Sequence, residues 1–270
     1  MEAVFVLLSA IAFFGYLAVP AGFKRYFASA GWIFIVVSLI LDLPYYINVE
    51  NNFLYPVMGI LGIPFLAITI PEIMADNKIT DYLSRGAAIA FLIYFPFGYI
   101  PAVGDFLISA VTSEVVWLIH ALGLPVNQIA WNMMENDGFR VEIIMACTGI
   151  QSIAIMLGLA WCVPTTIKQK VLSFLVIAPV IYILNLFRNV FVVSAYSGQW
   201  FQYLPEIAAN GEYGYESFFW SHNVMAELGA LVFLIFLALI LFAIIPSLGE
   251  FADGVITLYS KKVKDLGRGK

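Results

Sequence analysis

HNVMAELGALVFLIFLALILFAIIP, residues 222–246, holds one charged side chain, Glu227, in 25 positions. At about 1.5 Å per residue a helix of that length crosses a hydrocarbon layer of about 30 Å. The stretch therefore reads as a membrane span. Six more stretches read the same way: about 3–20, 28–47, 53–71, 86–101, 147–164 and 171–192, the fourth being the shortest. The whole composition agrees. Of 270 residues, 62% are apolar and 11% charged, and the mean hydropathy is +0.93. Soluble domains average about 45–50% apolar and about 25% charged. So little charge cannot cover a water-soluble globule of this size, which excludes an ordinary soluble domain, a disordered chain and a nucleic-acid binder. The expected fold is all-α: a polytopic helical bundle of about seven spans. One integral domain is expected over 1–249, with a short basic tail over 250–270. The first stretch has no basic residue ahead of it and is followed by Lys24 and Arg25, so it reads as a span rather than a cleaved signal.

Orientation follows from the 13 basic residues, because lysine and arginine concentrate on the cytoplasmic side. Lys24 and Arg25, Lys78 and Arg85, Lys168 and Lys170, and the tail residues Lys261, Lys262, Lys264, Arg268 and Lys270 share one side if the N-terminus is outside and the C-terminus inside. Only Arg140 and Arg188 fall on the other side. The segment 102–122 is apolar but carries Asp105, Glu114 and His120. Asp105, Ser109, Thr112 and His120 lie near one helical stripe, an amphipathic pattern. Counting it as a span would invert the charge split of the second half, so it is expected on the outer side, in the interface or dipping into the bundle.

The outer side then holds two substantial connections, about 102–146 and 193–221. The alternating, β-branched stretch 139–145 is expected to be extended. Three residues stand at the outer ends of three different spans. Cys147 opens the fifth. A helix start favours thiolate through its unpaired N–H groups and dipole, and the other reading is a small apolar residue. Cys162 lies 15 residues on, about 22 Å along a helix, has no polar company and reads as structural. Arg188 sits near the end of the sixth span with Asn185 three residues back. Either it snorkels to the headgroups or it faces an inward polar site. His222 opens the seventh span, as a general base or as an interfacial histidine. His120 reads as a residue of the amphipathic stripe. A nucleophile, a cation and a base at one depth are the set that cysteine acyl transfer needs. The runner-up reading is a polytopic transporter or channel without covalent chemistry, which would keep acidic or broken-helix sites at mid-depth.

Three blocks carry a resemblance: Ala146-Cys147-Thr148-Gly149-Ile150-Gln151-Ser152, Asn185-Leu186-Phe187-Arg188-Asn189-Val190-Phe191 and Ser221-His222-Asn223. In order and spacing they resemble the signature blocks of the exosortase/archaeosortase family, over about 146–230. The aromatic runs Ser197-Gly198-Gln199-Trp200-Phe201 and Ser217-Phe218-Phe219 are similar to its archaeal branch. Residues 1–145 match chiefly as a set of spans. The resemblance implies a multispanning cysteine transpeptidase of the cell surface. Its substrates would be proteins with a tripartite C-terminal sorting signal: a short motif, an apolar helix and a basic end. The acceptor would be a membrane lipid. It also implies that the family's Cys, Arg and His are Cys147, Arg188 and His222. The third position is His in many members and Arg in some archaeal ones. Asn185, Asn223, Thr148 and Gly149 are supporting candidates. Glu227, Asp42, Glu135, Asp137, Glu206, Glu212 and Glu216 read as solvated acids or as contacts to an acceptor or cation. No HExxH or GxxxxGK[ST] motif occurs, so no metal, cofactor or nucleic acid is expected.

Overall fold

A computed structural model describes residues 2–48, 54–209 and 211–267. Position 53 of the third expected span and positions 268–270 of the tail lie outside the described residues. The chain begins with helices α1 (Glu2–Ala18), α2 (Ala21–Leu41), α3 (Leu43–Asn48), α4 (Leu54–Met74) and α5 (Lys78–Tyr99). Ile100 and Pro101 then break the chain into α6 (Pro101–Ala121), with Pro101 at the first helical position, where its missing N–H costs nothing. Three strands follow: β1 (Asn127–Ala130), β2 (Met133–Asn136) and β3 (Phe139–Glu142). A 3-10 turn (Met145–Thr148) leads into α7 (Ile150–Cys162), and α8 (Ile167–Ser197) is the longest helix. After α9 (Pro205–Ala208) and α10 (Tyr215–Phe218), a π-helical segment (Phe219–Ala226) runs straight into α11 (Glu227–Ile244). Finally α12 (Pro246–Gly267) forms the tail.

By length and composition, five helical stretches suit a membrane crossing: Ala21–Leu41, Pro56–Met74, Pro101–Ala121, Ile167–Ser197 and Tyr215–Ile244. Ile167–Ser197 covers the expected span 171–192, and three others overlap the expected spans 28–47, 53–71 and 222–246, the first ending at Leu41. The apolar helices Val4–Ala18 and Ile150–Cys162 are shorter, and α5 opens on the polar sequence KITDYLSR. The fifth stretch, α6, is the segment 102–122 expected at the interface. Its buried face runs through Gly104, Ile108, Val111, Val115 and Ile119. Thr112, placed on the polar stripe, is buried and donates to the Ile108 carbonyl at 2.8 Å, while Asp105 and His120 remain exposed.

The all-α expectation needs one correction, the three-stranded antiparallel sheet in the order β1-β2-β3. Of the stretch 139–145, residues 139–142 are extended. The β2–β3 hairpin turns on Asp137 (φ 50°) and Gly138 (φ 84°), and Asn136 pairs with Phe139. A two-residue turn with positive φ at both positions matches strand twist, and Asp-Gly supplies it cheaply. Met134 and Val141 pair across one face and are buried. That buried face gives the hairpin a core to rest on, without which an isolated hairpin is marginal.

The chain divides into two compact units. The first comprises Met1–Ile93, Leu157–Lys170 and Ile245–Lys270, the second Tyr94–Met156 and Val171–Ile244. In the first, Phe13 meets Trp32 edge-on at 5.4 Å and stacks on Phe91 at 5.4 Å. Trp32 donates its indole N–H to Ser84 Oγ at 3.0 Å. α12 joins this unit through Tyr259, whose hydroxyl lies 2.6 Å from that of Thr69, and through Lys262, 2.6 Å from Glu72. The second unit has a core built from α6 (Ile108, Val111, Val115), the sheet (Met134, Val141) and α8 (Val190, Val193). Tyr182 on α8 donates to Glu114 on α6 at 2.8 Å.

Charge divides unevenly between them. The first unit holds eleven basic and nine acidic residues, a formal +2; the second holds two basic and nine acidic, a formal −7. All eleven basic residues expected on one side of the membrane are in the first unit. Arg140 and Arg188 are in the second.

Candidate active site

The 3-10 turn that carries Cys147 is closed by its own backbone and by Thr148. The Cys147 N–H donates to the Ile144 carbonyl at 2.8 Å, and Thr148 Oγ1 donates to the Met145 carbonyl at 2.8 Å. Gly149 ends the turn at φ +78° and starts α7. A Cβ there would lie 3.1 Å from Cβ and Cγ of Asn185. The left-handed backbone and the close side chain both select glycine.

Two amides on α8 hold this turn. Asn185 Nδ2 donates to the Cys147 carbonyl at 2.6 Å and Asn189 Nδ2 to the same oxygen at 2.8 Å. Residues four apart share a helix face, so both donors converge and occupy both lone pairs of one carbonyl. Asn189 is 3% exposed. Asn185 was expected as an orienting group. Asn189 was not singled out, although its spacing from Asn185 is the signal that marks it.

Arg188 lies on the same two turns of α8. Its Nη2 is 3.2 Å from His222 Nε2, and His222 Nδ1 is 2.7 Å from Asn223 Oδ1. Guanidinium has no acceptor, so Nε2 accepts from Arg188 and Nδ1 carries the proton donated to Asn223. Both contacts are satisfied by one neutral tautomer. The Phe218 ring stacks on the imidazole at 4.8 Å and 11°. Phe218 in turn meets Tyr196 of α8 at 5.4 Å, and Tyr196 meets Phe139 of β3 at 5.1 Å. α10, which leads into the π-helical segment, a feature frequent at functional sites, is tied to α8 through Ser217, which donates to the Ala195 carbonyl at 2.8 Å. Ser221 donates to the Ser217 carbonyl at 2.7 Å.

Arg188 has no acidic partner among the described residues, although nine acidic residues share its unit. The unit's other cation, Arg140, is 2.6 Å from Glu135 across the hairpin. Of the remaining acids considered, Glu216 and Asp42 are buried, while Asp137, Glu206, Glu212 and Glu227 are exposed.

The structure thus joins Arg188, His222 and Asn223 directly, and joins Cys147 to the same stretch of α8 through Asn185 and Asn189. The Cys147 side chain is half-buried and packs against the apolar core of the unit. Among the described residues its sulfur makes no hydrogen bond to Arg188 or His222. Cys162 is fully buried in the first unit beneath Gly86, as a structural residue would be. A cavity of about 470 Å³ opens beside Gly149, Ser152, Asn185, Arg188 and Phe191, walled by α11. No group of three or more His, Cys, Asp or Glu side chains among the described residues is placed to hold a metal ion.

A multi-pass helical membrane protein is the class these features define, with a cysteine pinned by two amides and an arginine–histidine pair on adjoining turns. Residues 3–242 match the family model of the transmembrane exosortases, EpsH type, and the chain belongs to that family. It is similar to archaeosortase A of Natronomonas pharaonis, with 26% identity over 254 residues covering 87% of this chain and 80% of the relative. It is also similar to archaeosortase A of Haloferax volcanii, with 23% identity over 263 residues covering 88% and 86%. No solved structure matches the chain.

Proposed function

We propose that the protein is a cysteine transpeptidase that cleaves the C-terminal sorting signal of surface proteins and transfers the new C-terminus to an acceptor, a membrane lipid. The observation that carries this reading is the Arg188–His222 contact at 3.2 Å on the turns of α8 whose asparagines grip the Cys147 carbonyl. Family membership and the two archaeosortase relatives support it. The integral domain is 1–249 and the basic tail 250–270 is cytoplasmic. The N-terminus is outside, and the site faces the extracytoplasmic side. The separation of eleven basic residues from Arg140 and Arg188 supports that orientation.

Cys147 is the nucleophile, Arg188 the electrostatic stabiliser and His222 the proton carrier. Arg188 swings from Nε2 of His222 toward the scissile carbonyl, the freed Nε2 takes the thiol proton, and the thiolate attacks that carbonyl. Arg188 faces the tetrahedral oxyanion, where one donor in a dry site is worth about 3 kcal/mol. The imidazolium then gives its proton to the departing amine, leaving a thioester on Cys147. An acceptor hydroxyl next loses its proton to Nε2 and attacks the thioester, and the thiolate leaves and is reprotonated by His222. Asn223 holds Nδ1–H throughout, so the same ring nitrogen serves both half-reactions. Thr148 and Gly149 keep the nucleophile's turn closed. Substrate binding must rotate the thiol out of its apolar packing, consistent with catalytic contacts that tighten only in the complex.

The test is co-expression of the full chain with a reporter that ends in such a sorting signal, read by mass spectrometry of the reporter's C-terminus. Wild type yields a shortened C-terminus bearing the acceptor mass. Cys147→Ala that still inserts yields the intact signal. Processing retained in Cys147→Ala removes the nucleophile and with it this mechanism.

A further inference from the structure

We infer that the cavity between α8 and α11 in the second unit seats one hydrocarbon chain of the acceptor lipid, with the headgroup at the catalytic end; this rests on the transfer reading above. The cavity of about 470 Å³ is polar at one end and apolar along the rest. Ser152, Asn185 and Arg188 lie at the end nearest Cys147, and from there the cavity follows α8 back to Ile181 and α11 on to Leu237. Phe191 to Ile181 is ten residue steps and Met225 to Leu237 is twelve. At about 1.5 Å per step the cavity is about 15–18 Å long. The α11 wall explains the opening. Ala226, Gly229 and Ala230 are three and four residues apart on one helix face, where larger side chains would close the space against α8. A Cβ at Gly229 would meet nothing within 4 Å. Phe187 and Phe233 line the cavity and stay exposed, so on helices surrounded by hydrocarbon it is reached from the lipid.

Width selects the occupant. A volume of about 470 Å³ over a length of about 16 Å leaves a mean cross-section of about 30 Å². A helix with its side chains is about 10–12 Å across and needs about 80 Å² or more, so the apolar helix of a sorting signal does not fit. An extended peptide is narrow enough, but its backbone N–H and C=O groups would find no partners along this apolar lining. A hydrocarbon chain is narrow and has no such groups. An amphiphile also matches the change of polarity along the cavity, its chain beside Phe233 and Leu234 and its head beside Asn185 and Arg188. Seated so, the lipid brings a headgroup hydroxyl to the thioester on Cys147. The hydroxyl oxygen bonds the acyl carbon as the carbon–sulfur bond breaks, its proton passes to Nε2 of His222, and the thiolate leaves.

Two measurements on the full-length protein test this. Each compares the wild-type cavity with Gly229→Leu, which fills it without a backbone clash, and with Ile235→Phe, an exposed α11 position outside it. The first is photolabelling in a Cys147→Ala background, in phosphatidylcholine nanodiscs doped with phosphatidylglycerol that carries a diazirine midway along one chain. The second, with Cys147 intact, is the mass of the reporter's C-terminus. Label should concentrate on residues 181–191 and 225–237 and fall about tenfold in Gly229→Leu, since excluding about two buried methylenes is enough for that loss. The lipid adduct should fall as far, with the thioester or its hydrolysed product rising in its place, while Ile235→Phe matches wild type. Label spread evenly over the bundle, or an adduct that Gly229→Leu leaves at wild-type yield, overturns the inference and leaves the transfer reading standing. Loss of cleavage in Gly229→Leu with label unchanged assigns the cavity to the sorting signal and overturns it too. A wild-type reporter cleaved without an adduct removes transfer itself, and the inference with it.

Discussion

Removing the two amides that grip Cys147 tests the site at its most particular feature. The Cys147 carbonyl receives Asn185 at 2.6 Å and Asn189 at 2.8 Å. Deleting either donor, as Asn185→Ala or Asn189→Ala, leaves the oxygen one partner. The expected loss is then about 1 kcal/mol, the net worth of one hydrogen bond, or about fivefold in rate. Deleting both leaves a carbonyl with neither donor, and the desolvation penalty of about 1–3 kcal/mol now falls due. The double variant should therefore lose about 3–5 kcal/mol against wild type, about 160- to 5000-fold in rate. Two independent contacts would give only the sum of the singles, about 2 kcal/mol. A positive interaction energy of about 1–3 kcal/mol is the signature of a shared acceptor. The assay is the first-order rate of reporter processing per folded enzyme in native membranes, with melting temperature measured alongside. Strict additivity, or wild-type processing in the double variant, refutes the claim that the clamp sets the nucleophile's position. A fall in melting temperature with unchanged processing assigns the clamp to stability alone and refutes it equally.

Three further outcomes are expected. Gly149→Ala places a methyl 3.1 Å from Asn185 in a left-handed backbone, which costs an L-residue about 1–2 kcal/mol, so processing and melting temperature should both fall; an unchanged rate would show that the turn relaxes freely. Arg188→Lys keeps the charge but loses the planar fork that meets His222, so processing should drop about 100-fold or more, and near-wild-type turnover would reduce Arg188 to a point charge. A small membrane-permeant alkylating reagent should modify half-buried Cys147 well before fully buried Cys162, read by peptide mass spectrometry; equal rates would contradict the packing of both.

The apolar helices were legible because hydropathy and length are read directly from the chain, although α6 is also long and apolar enough to cross a membrane. Their ends were not. α8 runs from Ile167 to Ser197, beyond the expected 171–192, because Lys168-Gln169-Lys170 and Ser194-Ala195-Tyr196-Ser197 are helical but too polar to count in an apolar stretch. The π-helical segment joins His222 to α11 without a break, and no pattern of apolar residues announces such a register change. The hairpin was legible but unread: Asn136-Asp137-Gly138-Phe139 is a strong turn signal that the apolar character of the surrounding chain masked. At the site, residue identity marked Cys147, Arg188 and His222. What the sequence could not supply was which atom each residue serves. Asn185 meets the backbone of Cys147 rather than Arg188, and that depends on how α7 and α8 approach one another at Gly149.

The partner chosen for Arg188 bears on its role. A guanidinium near a membrane span is costly, at least about 2.5–3.5 kcal/mol at mid-depth and less toward an end. A carboxylate would relieve that cost, and the second unit has nine acidic residues with which to do so. Arg140, outside the spans, is paired in this way with Glu135. Arg188 instead meets the unprotonated nitrogen of His222, a neutral partner that fixes one arm of the fork and leaves the positive charge uncancelled. A charge meant only for stability gains from neutralisation, whereas one meant for a transient anion loses its use if a resident carboxylate occupies it. Placing a carboxylate at the neighbouring position, as in Asn223→Asp, should therefore leave folding intact and slow processing. Its carboxylate would sit at Nδ1, across the imidazole from Arg188, and offset part of the guanidinium charge that the oxyanion needs. An unimpaired Asn223→Asp variant would show that the uncancelled charge of Arg188 is not what the site uses.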